Sequence, residues 1–101
     1  MTPEGRIKRE VNKLLTFTAM SYPLWIFKPV QIGYGTRALD YLLCINGHFA
    51  SIEAKAPDEE LTPHQKMTAK NILESGGSVF IISEAATLGA LITWLDRLCR
   101  Q

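Results

Sequence analysis

Asp40, Glu53 and Lys55 fall within "LDYLLCINGHFASIEAK", residues 39–55, a stretch that is otherwise almost wholly apolar. Ionisable groups among apolar neighbours are costly unless they are paired or bind something. Asn46-Gly47 in the middle of the stretch is a strong signal for a two-residue hairpin turn. With that turn, Ile45 faces His48 and the numbers of facing residues sum to 93, a sum that Asp40 and Glu53 satisfy. Directly opposed residues project to one face with Cβ atoms about 4.5–5.5 Å apart, and Lys55, two positions on, shares that face. Two carboxylates held side by side repel each other, and a cation between them removes the repulsion. Hard oxygen donors at this separation suit Mg²⁺ or Mn²⁺, which keep several waters and take substrate phosphate in their remaining positions. A neighbouring lysine can then orient or activate an attacking water.

A plainer reading ends the preceding loop at Asp40 and makes Glu53 and Lys55 an ordinary solvated pair. Two features weigh against it. Both strands are apolar on both faces, which leaves no plainly wet face, and the register pairs the two acids without adjustment. A one-residue bulge would undo the pairing.

The elements that must position these residues follow from periodicity and turn chemistry. Thr2 can cap a helix that opens with Pro3, and Ile7, Val11, Leu14 and Leu15 recur at helical spacing as far as about Ala19. "LWIFKPVQI" has strand composition, with Pro29 suggesting an edge or a bulge, and "GYGTR" is a glycine-hinged loop. Residues 39–45 and 48–55 form the hairpin strands. Thr62, Pro63 and Gln65 then open a second helix, with Gln65 where a capping box wants Glu or Gln, and Gly76-Gly77 ends it. "SVFII" reads as a short strand buried on both faces, and Leu88, Leu91, Ile92, Leu95, Leu98 and Cys99 mark one face of a closing amphipathic helix. The order αβββαβα predicts an α/β sandwich: a mixed four-stranded sheet, with the hairpin antiparallel and the second helix making a parallel, right-handed crossover.

Length and composition bound the possibilities. A chain of 101 residues is expected to form one domain, 1–101, large enough for a real core. No apolar run is long enough for a membrane span, and "MTPEGRIKRE" has no signal-peptide core, so a cytoplasmic protein with no membrane partner is expected. Cys44 and Cys99 form neither a zinc pattern nor a disulfide framework and are expected as small core residues. The net charge of +1 argues against a generic polyanion binder, yet Arg6, Lys8, Arg9 and Lys13 crowd the first helix. His64 is expected as an exposed first-turn residue and His48 as a solvated neighbour of the turn. Trp25, Phe27 and Trp94 are expected in the core or in a subunit interface.

Asp40, followed thirteen positions later by Glu53-Ala54-Lys55, resembles the PD-(D/E)XK nuclease signature, and αβββαβα is the order of that superfamily's restriction-endonuclease-like core. More narrowly, "PVQIGYGTRALDYLLCINGHFASIEAKAP", with "LTPHQ" and "GGSVFII" downstream, is similar to the minimal VRR-type nuclease domains, many of them standalone phage proteins. The resemblance runs from Thr2 to about Ile82. It implies metal ligation by Asp40, Glu53 and the backbone carbonyl of Ala54, with Lys55 as the catalytic lysine. It also implies an acid early in the first helix, acting directly or through water; Glu4, three residues before Ile7, fits this better than Glu10, which precedes Lys13. Gln65 matches the family's glutamine, with a face that also carries Ala69 and Ile72; a capping box with Thr62 is its plainer role, and the two do not exclude each other. Leu39 stands where the signature has proline, and Ala38 where a glycine is usual.

The resemblance further implies a Mg²⁺- or Mn²⁺-dependent deoxyribonuclease with no small-molecule cofactor, located in the host cytoplasm if phage-encoded. Its substrate would be double-stranded or branched DNA, including a four-way (Holliday) junction cut by a homodimer. Tyr34 and Arg37 beside Asp40, and Arg6 and Arg9 on the first helix, are the expected DNA contacts. The rival from another class is a non-catalytic nucleic-acid- or protein-binding module on the same fold, and activity on RNA or nucleotides would mark a third.

Overall fold

The computed structural model describes residues 1–30 and 38–100. The elements are α1 (Pro3–Ser21), β1 (Leu24–Phe27), β2 (Tyr41–Ile45), β3 (His48–Ala54), α2 (Pro63–Glu74), β4 (Ser78–Ile82) and α3 (Ala85–Cys99). This is the αβββαβα order read from the sequence. The sheet order is β1-β2-β3-β4, antiparallel for the first two pairings and parallel for β3 with β4.

The hairpin turn behaves as its sequence requires. Asn46 and Gly47 both have positive φ, 49° and 78°, the backbone of the primed turns whose twist matches that of the strands they join. The resulting register runs Ile45↔His48, Leu43↔Ala50 and Tyr41↔Ile52, which is the predicted sum of 93. Carried one pair further, it sets Asp40 opposite Glu53.

The alternation of side chains divides the sheet into two unlike faces. Tyr41, Leu43, Ile45, Ala50 and Ile52 point to one side, where Val11 and Leu15 of α1 and Leu91, Trp94, Leu95 and Leu98 of α3 close the core. Leu42, Cys44, Phe49, Ser51 and Glu53 point to the other, where Gln65 of α2 reaches Glu53. Among the described residues only one helix stands on that side, so the β1–β2 part of the face is left exposed, with Trp25, Phe27 and Cys44 on it and Phe49 of β3 beside Cys44. Trp25 and Phe27 are stacked, their ring centroids 5.8 Å apart.

Several expectations are corrected here. Cys44 is exposed rather than a core residue, because it faces the half of the sheet that α2 does not cover. Trp25 and Phe27 are likewise outside the core, whereas Trp94 is buried. β4 is an edge strand, so "SVFII" is half-buried along most of its length and only Ile82 is fully enclosed. β1 ends at Phe27, two residues before Pro29, whose missing N–H cannot extend a ladder. Among the described residues no helix is long and apolar enough to cross a membrane.

Candidate active site

Three elements deliver the acids to one place. Thr2 caps α1 by accepting from the Gly5 amide at 3.0 Å, which fixes the first helical turn and with it Glu4. Asp40 stands immediately before β2, and Glu53 is the penultimate residue of β3. Carboxylate oxygens of Glu4, Asp40 and Glu53 all lie within 4.8 Å of one another. Glu10 is elsewhere, paired with Lys13 on the outer side of α1 at 3.6 Å.

The two strand acids are tied to the backbone opposite. The Asp40 amide donates to Oε1 of Glu53 at 3.2 Å, and the Ala54 amide donates to Oδ2 of Asp40 at 2.9 Å. α2 adds a third restraint through Gln65. Its Oε1 accepts from the Thr62 amide at 2.9 Å in a complete capping box, while its Nε2 donates to Oε2 of Glu53 at 3.0 Å. One side chain thus completes the capping box and reaches Glu53, because its amide has an acceptor at one end and a donor at the other.

Burial first, and charge repulsion after it, shape the titration of Glu53. Glu53 is 3% exposed, and burial, followed by the negative charges of Asp40 and Glu4, pushes its carboxyl up from 4.5 to about 7. The Lys55 ammonium and the Asp40 amide pull it part of the way back. Lys55 directly follows β3, is only 7% exposed, and has its backbone amide held by the Ile82 carbonyl at 3.0 Å. It is therefore a nearly enclosed cation next to an enclosed acid.

A small cavity of about 180 Å³ opens onto this cluster, lined by Ala38, Asp40, Glu53, Thr62, His64, Gln65 and Thr68. Larger hollows lie elsewhere, one of about 610 Å³ beside Phe49 and the C-terminal end of α2, away from the acids. His64 is exposed, as expected, and yet lines the cavity. Arg6 and Arg9 are exposed on α1. Tyr34 and Arg37 lie outside the described residues.

One neighbour was missed by sequence reasoning. Lys8 places its Nζ 3.6 Å from Oε1 of Glu4 and 3.8 Å from Oδ1 of Asp40. The i, i+4 spacing from Glu4 was a usable signal; the approach to Asp40 depends on how α1 crosses the sheet, which spacing does not give. That crossing is fixed by Tyr41, whose hydroxyl lies 3.3 Å from the Lys8 carbonyl oxygen and 3.0 Å from Oδ1 of Asn12. Burial and the Asp40 charge push the Tyr41 phenol up to about 12, so it stays a proton donor at neutral pH.

The donor set suits a hard divalent cation. Octahedral Mg²⁺ with oxygens at about 2.0–2.1 Å needs its ligands roughly 3–4 Å apart, so small side-chain movements from the present spacing suffice. Every carboxylate oxygen of Asp40 and Glu53 already has a protein partner, yet an ionised carboxylate offers about four lone-pair sites. Capacity for an ion remains.

No protein-family model and no curated protein matches the sequence. A solved structure described as a VRR_NUC domain is similar in fold, with a TM-score of 0.73, covering 92% of this chain and 97% of that one at 21% identity. The likeness in fold extends over nearly the whole of both chains, and the α/β architecture here, a mixed four-stranded sheet with flanking helices, is similar to that of a VRR_NUC domain.

Proposed function

We propose that this chain is a divalent-metal-dependent endonuclease acting on DNA, with residues 1–101 as the catalytic unit. The observation that carries the reading is the convergence of Glu4, Asp40 and Glu53 within 4.8 Å, beside an enclosed lysine, on a fold similar to a VRR_NUC domain. A binding module without turnover has no need to bring two further acids against a buried glutamate.

In this proposal Asp40, Glu53 and Glu4 hold the cation together with the Ala54 carbonyl. A bound Mg²⁺ or Mn²⁺ supplies Lewis-acid polarisation of the phosphate and makes an adjacent water more acidic. Lys55 orients that water and balances the charge that develops as it attacks. Gln65 holds Glu53 in position, and the Ala54 amide does the same for Asp40. Arg6 and Arg9, with Tyr34 and Arg37, contact the DNA backbone.

Branched DNA, including a four-way junction, is the proposed substrate, cut by a homodimer whose twofold axis relates two sites. The exposed Trp25, Phe27 and Phe49 favour a second copy as the covering surface, since contiguous apolar patches mark interaction sites. Incubation with Mn²⁺ and linear, nicked, flapped and four-way DNA tests the reading. Products confined to the branched substrates are expected, and no cleavage of any DNA at any Mn²⁺ concentration would overturn it. Light scattering should give about twice the 11.3 kDa chain mass, and an active monomer would remove the dimer from the account.

A further inference from the structure

Three carboxylates and two lysines meet at the site, and when all are ionised one negative charge is left over. The two lysines are not alike. Lys55 is enclosed, whereas the Lys8 side chain is 42% exposed and sits beyond hydrogen-bond distance of both acids it faces. Its backbone is nonetheless fixed, because the Tyr41 hydroxyl sits against the Lys8 carbonyl and the Asn12 side chain. A rigid base thus carries a four-carbon arm whose ammonium is only loosely held between Glu4 and Asp40.

We propose that Lys8 is the resident counter-ion of the metal-free site, displaced from Asp40 by the incoming divalent cation and redirected to the phosphate of the DNA. The inference rests on the metal-nuclease reading and goes beyond it by giving a role to a residue outside the ExK signature. Charge balance supports it. A divalent cation turns the single negative excess into a single positive one, and one phosphodiester then makes the whole set neutral. An ammonium kept at Asp40 would instead repel the cation at close range, while the four-carbon arm of a lysine lets its head move several ångströms without moving the helix.

The test is calorimetric titration of Mn²⁺ into the wild type, Lys8→Met and Lys8→Arg, with binding of a labelled four-way DNA measured in Ca²⁺. Lys8→Met keeps the stem and removes the charge. It is expected to bind Mn²⁺ about fivefold to tenfold more tightly, to melt a few degrees lower in EDTA, and to bind the DNA several-fold more weakly. Lys8→Arg should stay near wild type in all three. Lys8→Gln serves as a second charge-removing variant if Lys8→Met folds poorly.

Mn²⁺ affinity equal to or below wild type in the charge-removing variant would overturn the proposal, as would unchanged DNA binding in Ca²⁺. If the wild type binds Mn²⁺ but cuts no DNA, the nuclease reading fails, yet tighter Mn²⁺ binding by Lys8→Met still supports Lys8 as counter-ion. If the wild type binds no Mn²⁺, both are overturned.

Discussion

Asp40 and Glu53 are cross-tied: the Asp40 amide donates to a Glu53 carboxylate oxygen at 3.2 Å, and Asp40 in turn accepts from the amide of Ala54, next to Glu53, at 2.9 Å. The acids thereby continue the hairpin ladder with their own side chains, one pair beyond its last backbone pairing, Tyr41↔Ile52. Their separation is set by the sheet, and the protein holds two like charges together before any ion arrives.

Removing either acid therefore affects both chemistry and structure, and the size of the side chain separates the two. Asp40→Asn and Glu53→Gln keep an acceptor for the amides and are expected to abolish Mn²⁺-dependent cleavage with little change in circular dichroism. Asp40→Ala and Glu53→Ala should lose cleavage as well, and also about 1–3 kcal/mol of stability through the unpaired amide. Cleavage at the wild-type rate by either isosteric variant would remove that residue from the site.

The raised carboxyl of Glu53 gives a pH dependence with a definite sign. Its folded value of about 7 lies above the ordinary 4.5, so the metal-free native state binds more protons than the unfolded chain between those limits. Stability in EDTA should be greatest at the acid end of this range and fall as pH rises through 7, by roughly 3 kcal/mol from this group. Mn²⁺ binding has the opposite trend, since the ion displaces the proton: affinity should drop up to about tenfold per unit below pH 7. Glu53→Gln should flatten the stability profile, and an unaltered slope would assign it to other groups.

Lys55 tests the division of labour. An ammonium cannot ligate a cation, so Lys55→Met is expected to bind Mn²⁺ at least as well as wild type while losing most of its cleavage, perceptible in calorimetry and a DNA assay on the same preparation. Wild-type turnover would exclude Lys55 from the reaction.

Gln65 couples helix start and site. Gln65→Ala removes the reciprocal half of the capping box and the Glu53 hydrogen bond, with an expected cost of about 1 kcal/mol, or roughly 4–8 °C in a thermal melt. Cleavage should fall too, because Glu53 loses the partner of its second oxygen. Loss of stability with full activity would confine Gln65 to capping.

Much of this arrangement was legible because local chemistry specifies it. Asn46-Gly47 sets the register that brings Asp40 to Glu53, and Thr62-Pro63-His64-Gln65 starts α2 where Gln65 reaches Glu53. What was not legible depends on how elements pack. Cys44 looks like a core residue in a run of apolar neighbours, yet α2 leaves its part of the sheet uncovered. Lys8 looks like one of several helix cations until the Tyr41 contact turns that face of α1 toward Asp40. "LWIFKPVQI" carries strand composition throughout, but β1 ends at Phe27 ahead of Pro29.

The most direct test of a shared ion is the thermal shift produced by Mn²⁺ in the wild type and in Asp40→Asn. A cation at about a hundred times its dissociation constant adds about 2.7 kcal/mol to a folded state that alone binds it, so saturating Mn²⁺ should raise the wild-type melting point by about 10 °C or more over its value in EDTA. In Asp40→Asn the EDTA melt should stay at or above the wild-type value, since a like charge next to Glu53 is gone, and most of the Mn²⁺ shift should vanish. A full metal shift in Asp40→Asn would contradict the account, because Asp40 and Glu53 would then not hold the same ion.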